Sequence, residues 1–265
     1  MAAVRDGGNG LPSASRPKNT ASCRSASHDA EQKRLLPMST TKPIPPEIAA
    51  ATVVLVRDGA AGLETLLLRR NAKLNFAGGL WVFPGGRVDA NDRVGLEPGD
   101  EIGAARRAAV REASEEAGLA VDPDKLVTLS HWTPPAETPK RFLTWFFIAP
   151  APVGTVQIDH GEIHDHIWLR PQEALLRRNS RQLDLLPPTW VTLETLAEHS
   201  TSEDLLAAWK HTEPQRYQTH IRGTPEGGVA IWEGDAAWPD QDVAAVGPRH
   251  RLWMIGDDWR FEVSR

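Results

Sequence analysis

Cysteine is almost absent from this chain of 265 residues, in which Cys23 is the single occurrence. A disulfide framework needs paired cysteines and a cysteine-based zinc site needs several, so the sequence excludes both. Disulfides are typical of oxidising compartments, whereas a lone cysteine suits a reducing one. We therefore expect a cytoplasmic protein.

Long apolar runs and an excess of basic charge are missing as well. No stretch approaches the ~20 apolar residues that a membrane-spanning helix requires. The formal net charge is −5, so the chain lacks the clustered basic surface with which proteins hold nucleic acid. A content of 40 % hydrophobic and 25 % charged residues indicates one sizeable soluble domain with additional elements. We expect no membrane and no nucleic acid among its partners.

The N-terminal 45 residues are rich in Ser, Ala, Gly, Asn, Arg and Pro and show neither a hydrophobic period nor a signal-peptide core. This composition predicts a disordered arm over residues 1–45. Met38 offers a second start just before the first apolar run, so the sequence leaves open whether translation begins at Met1 or Met38.

Residues 46–185 alternate strand-like and helix-like segments around a polar insertion at 87–99. Strands are predicted from apolar, β-branched runs over 50–57, 63–70, 80–83, 125–132, 142–149 and 162–169. A helix is predicted from Asp100 to Ala117, because acids suit its positive end and Gly118 is a natural stop.

The remainder, residues 186–265, has a different pattern and is expected to pack on the same domain as an extension. A helix opening at Pro171 leads into it. Two helical segments, 189–198 and 202–210, are followed by short β segments separated by Gly and Pro turns. The β segments are predicted over 228–232, 251–255 and 259–263.

Three glutamates within the predicted helix carry the first chemical signal. Glu112, Glu115 and Glu116 stand at i, i+3 and i+4, so they share one helix face. Like charges at this spacing repel by a few tenths of a kcal/mol per pair, which gives the helix no stability. A divalent cation turns that repulsion into binding, since hard oxygen ligands suit Mg²⁺ or Mn²⁺. The alternative is a solvated acidic face.

A glycine turn precedes this helix in the chain. Pro84-Gly85-Gly86 directly follows the apolar run 80–83. The proline and glycines force a turn, and the absence of side chains lets the backbone approach a ligand or metal closely. The turn and the acidic helix together favour the metal-site interpretation.

Pro84-Gly85-Gly86 and the run from Arg111 to Leu119 resemble the Nudix hydrolase signature. The second half of that signature is Arg-Glu-aliphatic-x-Glu-Glu-x-Gly-aliphatic, and it matches at every defined position if Ala113 is the aliphatic residue. The first half departs from the pattern. Twenty-four residues (87–110) separate Gly86 from Arg111, where the family has 13.

The first signature glutamate, which is mainly structural in the family, would fall on Gly103 when counted back from Arg111. Glycine has no side-chain carboxylate and cannot take the structural role of this glutamate. Either Glu101 substitutes from a shifted register or the role is absent.

The resemblance extends over residues ~48–180 and implies an α/β fold: a Nudix-type α/β/α sandwich with a mixed sheet, followed here by the helical and β-rich extension. The long insertion resembles that of a subgroup including the peroxisomal coenzyme A diphosphatases. The coenzyme A motif of the wider family agrees at Leu66, Leu67, Arg70, Gly79 and 83–86 but not at Leu68, Asn71 and Asn75.

The chemistry implied by the resemblance is attack of water on a phosphorus atom of a diphosphate linked to another moiety. The implied cofactor is Mg²⁺ or Mn²⁺, and its implied ligands are Glu112, Glu115, Glu116 and a carbonyl near Gly86. Such metals neutralise charge on the departing phosphate and acidify a bound water.

The other implied site residues act around these ligands. Arg111 is expected to orient the carboxylates through charge-assisted hydrogen bonds. Glu162 is the candidate general base on a later loop, and the signature helix is the other source of that base. Arg70, Lys140 and Arg141 are candidate contacts to the diphosphate of the substrate.

The sequence leaves the substrate open. One alternative is coenzyme A or acyl-coenzyme A, another is ADP-ribose or a different nucleoside diphosphate derivative. An answer of a different class is a non-catalytic Nudix module that binds a nucleotide or a protein. The tryptophan-rich C-terminal part is expected either to cover a homodimer interface or to cap the substrate pocket.

Overall fold

A computed structural model of the chain describes residues 45–74 and 76–264. The predicted disordered arm up to residue 44, with Cys23 and Met38, lies outside the described residues, as does Asn75. Within the described part no helix is both long and apolar enough to cross a membrane.

The described chain contains twelve strands and four α-helices, in which the predicted segments recur with small changes at their ends. The strands are β1 (Glu47–Gly59), β2 (Gly62–Arg70), β3 (Trp81–Val82), β4 (Gly85–Arg87), β5 (Val127–Thr133), β6 (Arg141–Pro150), β7 (Ile163–Leu169), β8 (Gln215–Gln218), β9 (His220–Thr224), β10 (Gly227–Ile231), β11 (His250–Ile255) and β12 (Asp258–Val263). The helices are α1 (Glu101–Ala117), α2 (Pro171–Asn179), α3 (Pro187–Leu196) and α4 (Ser202–Trp209).

The large sheet is mixed and is centred on β1, whose valine-rich run has its inner residues Val53–Val56 almost fully buried. Strand β6 runs parallel to β1 from Glu47 opposite Arg141 to Val56 opposite Pro150. The strand order is β3-β2-β1-β6-β5-β8, with β4 added to β1 and β7 added to β2. Strands buried on both faces suit continuous apolar sequence, which β1 has.

Helices cover both faces of this sheet. On one face the alanines of α1, among them Ala105, Ala108 and Ala113, pack on one set of alternating strand residues. On the other face Trp190 and Leu193 of α3, with residues of α2 and α4, pack on the other set. Small side chains bring α1 close to the sheet, whereas large ones fill the wider space opposite. The predicted α/β/α sandwich with a mixed sheet is confirmed.

The ends of α1 follow the predicted signals. The Asp100 side chain caps the helix by accepting a hydrogen bond from the Gly103 N–H at 2.8 Å. Gly118 ends it in the left-handed conformation with φ 66°, which glycine adopts without steric cost.

The C-terminal part adds strand β8 to the large sheet, parallel to β5, and builds a second sheet from β9 to β12. The sequence predicted short β segments here but not which strands they pair with. The two sheets meet through aromatic side chains: Trp132 of β5 stacks on Tyr217 at 3.9 Å between ring centroids, and Trp232 meets both edge-on. The extension therefore shares a core with the large sheet.

One buried ion pair organises the turn between β10 and β11. Arg251 donates from Nε to Asp235 at 2.7 Å, and the backbone N–H groups of His250 and Ala237 donate to the same carboxylate. Burial alone would raise the pKa of Asp235, but these hydrogen bonds outweigh it and hold the pKa at about 2. The carboxylate is thus charged in the fold and fully partnered.

We predict that Asp235→Asn lowers the free energy of unfolding by ~3–5 kcal/mol at neutral pH, because it leaves the Arg251 charge buried without a partner. A carboxyl with a depressed pKa stabilises the fold above its ordinary value near 3.9 and loses this effect as the pH falls towards about 2. Urea unfolding should therefore show the difference from the unmodified chain shrinking below pH ~4. The exposed Arg260→Gln serves as control and should change stability by less than ~0.5 kcal/mol; an equal effect of both would contradict the assignment.

Candidate active site

Strand β4 brings the glycine turn into the large sheet. Gly85 lies opposite Thr52 and Gly86 opposite Ala51 on β1. A Cβ on Gly85 would come within 2.6 Å of the Thr52 hydroxyl, and a Cβ on Gly86 would overlap the Glu112 carboxylate. Close approach to the backbone of the neighbouring strand therefore requires a glycine at position 85, whereas Gly86 leaves room for the Glu112 carboxylate.

Two glutamates of α1 point at this turn. Glu116 is 6 % exposed, and its Oε2 accepts a hydrogen bond from the Gly85 N–H at 2.9 Å. Glu112, one helical turn earlier, places its carboxylate against Gly86. Residues four apart lie above one another on a helix face, so the spacing seen in the sequence sets this convergence.

The electrostatics of the pair are unfavourable without a cation. The pKa of Glu116 is raised to about 8, chiefly by burial and secondarily by the neighbouring Glu112, against the lowering effects of the Gly85 N–H and of Arg70. Burial also raises the pKa of Glu112, against the attraction of Arg111. Two carboxylates removed from water beside one another resist losing their protons unless positive charge is supplied.

Arg111 gathers the carboxylates on the outer side of the site. Its Nη1 donates to Glu112 at 2.9 Å and to Glu115 at 3.0 Å, and its Nη2 donates to the Arg87 carbonyl at 2.9 Å. The predicted orienting contacts of Arg111 are present in this geometry. Glu115, however, is turned outward, with a side chain 59 % exposed, and the structure does not bring it to Gly85 and Gly86. The role of Glu115 as a ligand remains a prediction.

Asp92 is the site residue that sequence reading missed. It lies in a short 3-10 helix, Asn91–Arg93, within the insertion, and it is 5 % exposed. Both of its oxygens accept hydrogen bonds from Arg111, at 3.3 Å from Nε and 3.0 Å from Nη2. No spacing rule points to Asp92, because the length of the insertion hides its register.

Glu101, the sequence-based substitute for the first signature glutamate, lies elsewhere. It forms a two-bond ion pair with Arg93 at 2.9 and 3.0 Å in the first turn of α1. Eleven residues separate it from Glu112, about 16 Å along the helix. The hypothesis of a shifted register through Glu101 is therefore wrong.

Arg70 and Glu162 meet Glu116 from the opposite side. Arg70 lies at the end of β2, with Nη1 3.6 Å from Glu116 Oε1 and Nη2 3.1 Å from Glu162 Oε2. Two backbone hydrogen bonds hold Glu162 in place. Its N–H donates to the Asp159 carboxylate at 2.8 Å, and its carbonyl accepts from the Asn71 N–H at 2.7 Å. Two of the residues selected from the sequence for separate roles are thus in contact with one another, and Arg70 links Glu162 to Glu116 of α1.

The other two predicted substrate contacts are not part of this cluster. Arg141 opens β6 and donates from Nη1 to Glu47 at 2.9 Å. Arg141 lies opposite Glu47 on β1, and Gly86 lies opposite Ala51, which is four residues further along β1. The two positions are therefore ~13 Å apart along the strand. Lys140 precedes Arg141 in an exposed loop. Their contacts to a substrate remain predictions.

The donors at the glycine turn fit a hard divalent cation. Among the described residues no three His, Cys, Asp or Glu side chains are grouped as a ready metal cluster, since Arg111 draws Glu115 away. Mg²⁺ nevertheless needs only one or two protein carboxylates, because water and substrate phosphate complete its shell. Glu112 and Glu116 provide two, with raised pKa values that mark missing positive charge.

We predict different consequences for an added methyl group at the two glycines. Gly85→Ala should lower the free energy of unfolding by ~1–3 kcal/mol, because the Cβ would meet the backbone of Ala51 and Thr52. Gly86→Ala should cost less than ~1 kcal/mol, because the Glu112 carboxylate is the end of a flexible side chain and moves aside. Denaturant unfolding of both variants checks this, and equal losses would contradict it.

Comparison with known proteins relates the chain to a protein family. The NUDIX domain profile matches residues 46–187. A Caenorhabditis elegans protein designated nudix hydrolase 7 is 26 % identical over 175 residues, which cover 51 % of this chain and 56 % of that protein. The chain therefore matches little more than half the length of this relative.

One solved structure supports the fold by its superposition. A NUDIX hydrolase from Alicyclobacillus acidocaldarius superposes with a TM-score of 0.57 at 23 % identity, covering 64 % of this chain and all of that one. A MutT NUDIX hydrolase from Burkholderia pseudomallei gives a TM-score of 0.43 at 24 % identity over 56 % of this chain and 97 % of its own. The family match and the signature residues lead to the same conclusion: the chain belongs to the NUDIX domain family.

Proposed function

We propose that this protein is a metal-dependent hydrolase that cleaves the diphosphate linkage of a nucleoside diphosphate joined to another moiety. The observation that carries the proposal is the convergence of two carboxylates, the buried Glu116 and the half-buried Glu112, on Gly85 and Gly86. Membership of the NUDIX family supports the reaction class, and members of that family generally use divalent metal ions.

Glu112 and Glu116 would hold the cation, for which we propose Mg²⁺ or Mn²⁺, together with a carbonyl near Gly86. Bound there, the ion would neutralise charge on the diphosphate and increase the acidity of a water molecule. The glycine turn contributes by keeping side chains away, so that a phosphate can approach both carboxylates. Glu115 is proposed as a further ligand after a rotation away from Arg111.

The remaining residues act by orientation and proton transfer. Arg111 fixes the Glu112 carboxylate by hydrogen bonding. Glu162 is proposed to accept the proton of the attacking water, and its contact with Arg70, which also lies 3.6 Å from Glu116, supports this role. Arg70 would leave its present partners to bind the diphosphate, since a guanidinium binds phosphate with two parallel hydrogen bonds. Its Nε, buried and without a hydrogen-bond partner among the described residues, supports this second use.

The nature of the second moiety is the finer part of the proposal. The matches at Leu66, Leu67, Arg70 and Gly79 to the coenzyme A motif support coenzyme A or acyl-coenzyme A. ADP-ribose is the alternative within the family. Lys140, which is exposed, and Arg141, which is buried and paired with Glu47, are proposed to contact the substrate beyond the diphosphate.

We also propose that residues 46–185 form the catalytic domain and that 186–265 form an extension on the same body. The pairing of β8 with β5 and the stacking of Trp132 on Tyr217 support this division of roles. Whether the extension caps the pocket or covers a homodimer interface is decided by light scattering of the full chain at several concentrations.

We predict that Glu116→Gln lowers kcat/KM by ~10²–10³-fold with Mg²⁺, because the charge that holds the cation at the turn is lost. The assay panel is coenzyme A, acyl-coenzyme A, ADP-ribose, NADH and dinucleoside polyphosphates. Glu97→Gln, at an exposed position in the insertion, is the control and should retain turnover.

Product analysis separates the substrates. Coenzyme A would yield 3′,5′-ADP and phosphopantetheine, and ADP-ribose would yield AMP and ribose 5-phosphate. If the unmodified chain binds these compounds but hydrolyses none with Mg²⁺ or Mn²⁺, a binding module replaces the enzyme. Unchanged turnover of Glu116→Gln would refute the metal assignment.

For the proton acceptor, Glu162→Gln should lower kcat by ~10²–10⁴-fold while Mn²⁺ affinity without substrate stays the same. Asp165→Asn, an exposed acid on the adjoining strand, is the control and should leave kcat unchanged. A normal kcat for Glu162→Gln would move the role to the signature helix.

A further inference from the structure

We infer that Asp92, supplied by the insertion, takes the place of the missing first signature glutamate as the positioning residue for Arg111. Through Arg111 it would hold Glu112 and Glu115 in register with the glycine turn. This inference rests on the proposed function. It gives a role to the insertion, which is eleven residues longer than the spacing in the family signature.

The position where the signature expects its glutamate is needed for another purpose. Gly103 donates its N–H to the capping Asp100, and a Cβ at Gly103 would overlap the Asp100 carboxylate. A glutamate there would therefore disturb the start of α1. With Glu101 occupied by Arg93, α1 has no acid of its own in its first turn to reach Arg111.

Asp92 has the surroundings of a residue fixed for one partner. It is the only buried residue of the short 3-10 helix Asn91–Arg93. Its Oδ2 also accepts the Asp89 N–H at 2.9 Å, which sets the side-chain direction. A buried carboxylate is costly unless it is paired, and the pairing here is the two-bond geometry with which a guanidinium and a carboxylate orient each other.

All three nitrogen atoms of the Arg111 guanidinium therefore donate hydrogen bonds. Nε and Nη2 face Asp92, Nη2 also reaches the Arg87 carbonyl, and Nη1 is left for Glu112 and Glu115. Because the group is planar, fixing the Asp92 side fixes the direction of Nη1. Without Asp92 the guanidinium would keep its glutamates but lose the anchor that sets where they stand relative to Gly86.

The insertion is attached to α1 by the two residues that follow Asp92. Arg107 donates to the Val94 carbonyl at 2.5 Å, and Arg93 forms its ion pair with Glu101. These bonds hold the 3-10 helix against α1, so Asp92 reaches Arg111 from a separate segment of chain rather than from the helix itself.

Asp92→Asn tests the inference, since it keeps the size and the acceptor for the Asp89 N–H while removing the charge. Mn²⁺ binding is measured by isothermal titration without substrate, alongside kcat, KM and thermal unfolding without metal. We expect Mn²⁺ affinity to fall ~10–100-fold, the range for residues that orient metal ligands, and kcat to fall with it. Asp92→Glu restores the charge and should recover part of both.

Asp89→Asn is the matched control, because its exposed carboxylate lies in the same turn at 3.9 Å from Arg111; it should behave as the unmodified chain. If Asp92→Asn loses thermal stability but retains Mn²⁺ affinity and kcat, Asp92 is a fold residue and the inference is overturned. That result leaves the proposed hydrolase intact. Absence of Mn²⁺ binding and of hydrolysis in the unmodified chain would instead overturn both proposals.

Discussion

The removal of carboxylates from water at the glycine turn is the constraint on which the rest of the site depends. Glu116 is buried with one hydrogen bond, from Gly85, and its pKa is raised to about 8. Such a group is stable as an anion only if positive charge arrives. Arg70 lies 3.6 Å from Glu116 and Arg111 pairs with the neighbouring Glu112; the cation and the diphosphate that we propose would supply the rest.

The second requirement is that α1 and strand β4 lie close to one another, and small residues on both elements meet it. The alanines of α1 allow the helix axis to lie near the strands, and Gly85 and Gly86 remove the side chains that would separate β4 from the carboxylates. The same alanine and glycine choices would weaken an isolated helix–strand contact, because they bury little apolar area. The aromatic core on the opposite face, from Trp190 to Trp232, provides the larger apolar area.

Long-range ion pairs connect pieces of chain that are far apart in sequence. Asp92 and Arg111 join the insertion to the helix, and Arg70 joins β2 to Glu162, 92 residues later. Asp235 and Arg251 do the same in the C-terminal sheet, where no solvent competes for them. In the Asp92–Arg111 and Asp235–Arg251 pairs a planar guanidinium bonds both oxygens of the carboxylate and so fixes its orientation, whereas Arg70 and Glu162 share one hydrogen bond.

The sequence by itself determined the limits of α1, through its caps, and the shared helix face of Glu112 and Glu116, through their spacing. It indicated the family through the resemblance to the signature motif, and that resemblance implied the sandwich class. Tertiary structure decided that Glu115 turns to Arg111, that Asp92 rather than Glu101 pairs with that arginine, and that β8 joins β5. It also brought Arg70 to Glu162. These contacts join segments separated by loops, and the direction in which a loop returns to the fold is set by packing, which local sequence patterns do not encode.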